Sequence, residues 1–167
     1  MSKAFTKEDS DAAEVILPRR PPLPAGIPNY VTPRGLRLLR AELARLEAER
    51  AQAQVAGADP HRLALLTAHQ NELKERIGGA QLVAPQAGKP DVVRFGVRVG
   101  VRGPDGETRH YTLVGVDEAN AAEGRLAFTA PLARALLGRT AGDVVPVRAN
   151  KTEEEVEIVD IAPDDAP

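Results

Sequence analysis

Apolar positions in this chain repeat with two different periods. Leu36, Leu39, Leu43 and Leu46 recur at intervals of three, four and three, the a/d seam of a helix that packs against a partner helix. Thr32 stands where an N-cap belongs, and Pro33 suits the first helical position. Tyr30 and Val31 are placed to pack back as a hydrophobic staple, and Gly35 weakens helix propensity only in the first turn. The pattern stops at Val55-Ala56-Gly57, where Gly57 suits a C-cap, and Asp59-Pro60 supplies the next N-cap and first helical position. A second seam follows at Leu63, Leu66, Gln70, Leu73 and Ile77, closed by Gly78-Gly79. Two helices of about 20 residues, each ~30 Å long, joined by a short turn predict an antiparallel hairpin.

The period then changes to two. Val93, Phe95, Val97, Val99 and Val101 share one parity and Arg94, Gly96, Arg98, Gly100 and Arg102 the other, predicting a strand with one buried and one wet face. Gly103-Pro104-Asp105-Gly106 turns into a second strand near 108–116. A polar loop at 117–124, a short strand at 125–128, a helix opened by Pro131 and closed by Gly138, and two strands near 144–148 and 154–161 complete the series.

Ahead of the hairpin, Pro18-Arg19-Arg20-Pro21-Pro22-Leu23-Pro24 holds four prolines in seven residues, which predicts an extended or disordered lead-in. The predicted order is a Pro-rich tail over 1–29, a helical hairpin over 30–83, a linker over 84–90, a β-rich domain with one short helix over 91–162, and an acidic tail over 163–167. The fold class is α+β.

Composition narrows the chemistry. The chain has 167 residues, no Cys and 3% aromatic residues. Lack of Cys removes disulfides, thiolate nucleophiles and Cys-type zinc sites and suits a cytoplasmic, reducing compartment. No apolar run approaches the ~18–20 residues of a membrane span, and Met1 to Asp11 shows no apolar core of a secretion signal. With 22 Lys+Arg against 24 Asp+Glu, autonomous duplex binding is not favoured. His61 and His69 are too far apart for a paired metal site. Ser2 and Ser10 are the only serines, which argues against a serine hydrolase. No catalytic residue, cofactor or metal site is expected, and the chain is expected not to be an enzyme. Glu153-Glu154-Glu155 cannot all face one ion from a β segment. Arg94, Arg98 and Arg102 would put three cations on one strand face, a candidate surface for an acidic partner.

Several stretches resemble the Gre family of transcript-cleavage and elongation factors: Val93-Arg94-Phe95-Gly96-Val97-Arg98-Val99, Leu113-Val114-Gly115-Val116-Asp117-Glu118-Ala119, Ala130-Pro131-Leu132-Ala133-Arg134-Ala135-Leu136-Leu137-Gly138 and Gly142-Asp143-Val144-Val145. The hairpin entry Val31-Thr32-Pro33-Arg34-Gly35-Leu36 is similar too, and the opening residues Met1 to Glu8 resemble GreB-type members. The resemblance implies an N-terminal antiparallel coiled coil and an FKBP-like antiparallel β domain carrying one short helix. It implies a monomer that docks through the β domain on RNA polymerase, at the rim of the secondary channel, and touches nucleic acid only through the polymerase. The docking residues it implies are Thr129, Ala130, Pro131 and Arg134, with Ala130 replacing the family's serine.

The departure lies at the hairpin tip, formed by Gly57, Asp59, His61 and Arg62. The family's tip presents several carboxylates that help hold the polymerase's second catalytic Mg²⁺, because a labile metal needs added anionic oxygen ligands. Here Asp59 is the single tip carboxylate and therefore the only candidate metal ligand. Each arm is also shorter by about 8–10 residues, or ~12–15 Å of reach. The expected function is thus polymerase-binding regulation without stimulated transcript cleavage, in which the short hairpin resembles Rnk-type regulators. Alternatives are a true GreB-like cleavage factor using Asp59, a Rnk-like regulator of nucleoside diphosphate kinase, and a prolyl isomerase, which would need an aromatic-lined pocket.

Overall fold

A computed structural model describes residues 20–149 and 151–164. The architecture is α+β, a helical hairpin followed by a curled, mostly antiparallel sheet. The elements are β1 (Asn29–Val31), α1 (Pro33–Val55), α2 (Pro60–Gly78), β2 (Ala80–Leu82), β3 (Val97–Arg102), β4 (Thr108–Val114), β5 (Arg125–Ala127), α3 (Pro131–Leu136), β6 (Val144–Ala149) and β7 (Thr152–Pro163). Single 3₁₀ turns sit at Val116–Glu118 and Ala121–Glu123. Among the described residues, no helix is long and apolar enough to cross a membrane.

The hairpin forms for the reasons its seam suggests. The Thr32 hydroxyl accepts from the Gly35 amide and caps α1, and Pro33 follows at its first position. Leu39, Leu46 and Ala53 of α1 bury against Leu66 and Leu73 of α2, with Leu36, Leu43, Leu63 and Ile77 flanking. Burying each of these leucines contributes about 1.5–3 kcal/mol. The buried α1 positions fall seven apart, so the deepest line of contact is a heptad that continues to Ala53. Gln70 sits inside this seam, where its side-chain amide donates to the Leu46 carbonyl at 3.0 Å.

In the second unit the strands run β5-β4-β3-β7-β6. The core is the inner face of that sheet, Val97, Val99, Val101, Leu113, Val145, Val156, Ile158 and Ile161, closed by Ala133 and Leu136 of α3. The β3–β7 register shifts at Gly100/Val101, a bulge that lets Ile158 and Ile161 both face inward. A Cβ at Gly100 would stand 1.8 Å from the Asp160 carboxylate oxygen, so any larger residue requires that exposed side chain to move aside.

Several expectations change. Residues 1–19 of the expected tail lie outside the described residues, but from Arg20 onward the lead-in is laid against the body. Arg20 pairs with Glu42 and Asp117, and Asn29–Val31 forms β1, parallel to β2. The long strand expected from Val93 begins only at Val97, because Gly96 adopts φ 81 and turns the chain. The sheet is not wholly antiparallel, since β5 lies parallel to β4. The acidic tail expected over 163–167 is also revised. Pro163 ends β7 and Asp164 pairs with Arg125 at 2.8 Å, leaving 165–167 outside the described residues.

Candidate docking loop, hairpin tip and the junction between them

The loop expected to dock a partner is a backbone-built turn. The Ala130 amide donates to the Ala127 carbonyl at 2.9 Å, and Ala130 occupies the N-cap of α3 without a side-chain hydrogen bond. Pro131 then takes the first helical position. Pro131 and Arg134 are exposed, and Thr129 and Ala130 half-buried. Because Ala133 and Leu136 are fully buried in the sheet core, α3 is held rigidly and points its other face, with Arg134, outward. Among the described residues, Arg134 has no ion-pair partner.

The hairpin tip lies at the other end of the molecule's longest element pair. α1 closes in a Schellman arrangement: the Ala58 amide donates to the Ala53 carbonyl at 2.9 Å and the Gly57 amide to the Gln54 carbonyl at 3.2 Å, with Gly57 at φ 69. This turn leaves Val55 91% exposed, an apolar side chain at the summit. Asp59 occupies the N-cap of α2, but its carboxylate makes no capping hydrogen bond. Arg62 reaches back to Glu49 at 3.7 Å, and His61 is exposed. Among the described residues, no cluster of three or more His, Asp or Glu side chains is placed to hold a metal ion.

The arginine stripe does not assemble as expected. Arg98 and Arg102 lie on the exposed face of β3, but Arg94 precedes the strand and hydrogen-bonds to Gln86. Arg102 is paired to Glu157 of β7 at 3.1 Å. His110 stands on the same face, 3.4 Å from Asp160.

The strongest polar constellation sits between hairpin and sheet, and it was hidden in the stretch expected to be a polar loop. Glu118, 6% exposed, is its centre. It receives the Thr32 hydroxyl, two guanidinium contacts from Arg125 including Nε at 3.1 Å, and Arg34 at 3.5 Å. Arg125 also bonds Asp164. Burial works against the charge on Arg125, yet its hydrogen bonds to Asp164 and Glu118 together push its pKa above the ordinary arginine value. Asp117, the next residue, binds Arg20 at 2.9 Å and lies 3.6 Å from Arg76 of α2. Thr32 thus caps α1 and donates to Glu118, so one hydroxyl joins the start of the hairpin to the β domain.

Three rings add an apolar contact at the same junction. Tyr30, Phe95 and Phe128 meet pairwise with centroids 5.5–5.8 Å apart, separations at which aromatic pairs attract. Alternation along β1 explains it: Asn29 and Val31 turn to one side and Tyr30 to the other. Tyr30 therefore packs on the β domain and not as a staple, whereas Val31 joins the hairpin core. Phe128 immediately precedes Thr129, so this contact ties the candidate docking loop to the hairpin base.

Comparison with known proteins bears on the β domain. Residues 87–163 match the family described as transcription elongation factor GreA/GreB, C-terminal. The chain is 37% identical over 92 residues to transcription elongation factor GreA of Halalkalibacterium halodurans, covering 54% of this chain and 58% of that protein. It is 34% identical over 102 residues to GreA of Nitratidesulfovibrio vulgaris, covering 60% and 64%. The chain therefore spans about six-tenths of the length of the curated relatives it matches. Among solved structures, the GreA/GreB factor of Nitrosomonas europaea aligns with a TM-score of 0.41 at 20% identity, covering 80% of this chain and 98% of that one. Gfh1 of Thermus thermophilus aligns at 0.39 and 22%, covering 79% and 97%. Over residues 87–163 the chain is thus similar to the GreA/GreB C-terminal domain, a likeness that covers a little under half of its length.

Proposed function

We propose that this protein is a Gre-type regulator of transcription elongation that binds RNA polymerase, in the cytoplasm, without catalysing a reaction itself. Its β domain docks at the rim of the secondary channel through Thr129, Ala130, Pro131 and Arg134, and the hairpin projects from that anchor. The observation that carries the regulatory reading is the tip, where Val55 is 91% exposed and Asp59 is the one carboxylate. A hairpin of this kind occupies the channel, short of the polymerase's catalytic centre, and offers too few anionic oxygens to complete a metal shell. The result is obstruction of the channel and not stimulated cleavage.

Competition on core polymerase tests this. The protein is expected to displace a cleavage-competent Gre factor and to suppress its shortening of transcripts in stalled complexes. Failure to displace it refutes the docking assignment. A second reading, direct stimulation of cleavage, is favoured by the Asp59 carboxylate, which no capping bond engages. In that case the protein alone shortens stalled transcripts and Asp59→Ala abolishes the effect. We expect no shortening from either form.

A further inference from the structure

We infer that residues 20–28, which precede the hairpin, form a charge-anchored strap whose engagement fixes the angle between hairpin and β domain. The strap is fastened at one end. Arg20 spans two units, with one guanidinium nitrogen on Glu42 of α1 and the other 2.9 Å from Asp117 of the β domain. Beside it, Arg76 of α2 donates to the Pro21 carbonyl and approaches Asp117 at 3.6 Å. Strap, both helices and the β domain therefore meet at one small ionic cluster.

Between its ends the strap is poorly packed. Pro22, Leu23 and Ile27 stand off from Glu72 and Glu75 of α2 and from Gly79, which caps it, across an open groove of about 680 Å³. Attachment thus depends on charge more than on apolar burial. The cluster is also incompletely satisfied, for Asp117 Oδ2 is buried with no hydrogen-bond partner.

These facts define what release does. With Arg20 withdrawn, Asp117, only 5% exposed at its side chain, is left beside the poorly aligned Arg76 alone. A buried carboxylate in that state is strongly unfavourable. The available relief is for the 116–118 turn to separate from α1 so that water reaches it. The Glu118 bonds and the ring contacts remain as a looser joint, about which the hairpin samples a second orientation. This inference does not depend on what the protein docks to.

The absence of cysteine makes the test direct. Spin labels at Ala51→Cys on α1 and Ala141→Cys on the β domain, both exposed, report the hairpin-to-domain distance in the full chain by pulsed electron paramagnetic resonance. The expected result is one narrow distribution at low salt that splits or widens in Arg20→Glu. The same change is expected for the unsubstituted strap in concentrated salt, which screens ion pairs. Arg20→Ala serves if Arg20→Glu fails to fold, with far-ultraviolet circular dichroism confirming intact helices and sheet. A distribution that superimposes on the starting one in a folded Arg20 variant overturns the inference, as does one already broad with the strap intact.

Discussion

Gly35 shows how a residue's meaning depends on what approaches it. In a first helical turn alone, replacing glycine by alanine gains up to about 1 kcal/mol of helix propensity. Here an added Cβ would stand 2.7 Å from Glu118 Oε2 and 3.4 Å from the Thr32 hydroxyl oxygen. Gly35→Ala is therefore expected to lower stability by about 1–3 kcal/mol through overpacking, measured by denaturant melts; a stabilised variant would remove Glu118 from the centre of the junction. Glu118 itself could not be read from sequence. It lies in a run of polar residues, and its partners Thr32, Arg34 and Arg125 are 86, 84 and 7 positions away. Only folding brings them together. Thr32 was legible as a cap, because a cap needs nothing beyond its own next turn.

At the scale of elements, local period was informative where one face stays buried throughout. The leucine seams marked both helices, and Asp59-Pro60 marked their boundary. The heptad's last position, Ala53, was not marked, since alanines recur all round α1, at 41, 44, 48, 51 and 53. The alternation from Val93 to Val101 misled for a different reason. Val93 is buried and the parity is real, but Gly96 at φ 81 breaks the strand without breaking the pattern. The parallel β4–β5 pair was equally unreadable, since pairing direction follows from the path of the 115–124 loop. Gln70 supplies the prediction at this scale. Gln70→Leu exchanges one buried hydrogen bond, worth about 1 kcal/mol, for apolar contact in the seam. Thermal stability is expected to hold or rise, while the hairpin loses the polar register mark buried in its seam. Amide exchange along α2 checks this, with faster exchange expected despite an unchanged melting temperature.

At the scale of the molecule, the two candidate sites serve different ends. The candidate docking loop is rigid because α3 is nailed to the sheet core, and the tip is distant because Val55 closes a helix of 23 residues that starts at the junction. Arg134→Glu leaves packing untouched and reverses an exposed charge beside the loop. Under the proposed docking, binding to core polymerase is expected to weaken about tenfold or more, equivalent to ~1.4 kcal/mol, with no change in melting temperature. Unchanged affinity, measured by surface-immobilised polymerase, would move the docking surface elsewhere.

The loop over 115–124 carries one more implication. Surface connections ordinarily accept extra residues, because they touch little. This one turns the chain so that β5 meets β4 in parallel, presents Asp117 to the strap, and buries Glu118 against the hairpin base. Gly115 lies so close to the Tyr30 carbonyl that a Cβ would stand 2.5 Å from it. A single inserted residue would therefore shift the sheet edge and unseat the hairpin together. Random linker-scanning across the chain should find the exposed 84–90 segment permissive and these ten residues almost closed to insertion, although 84–90 and 117–124 both read as loop.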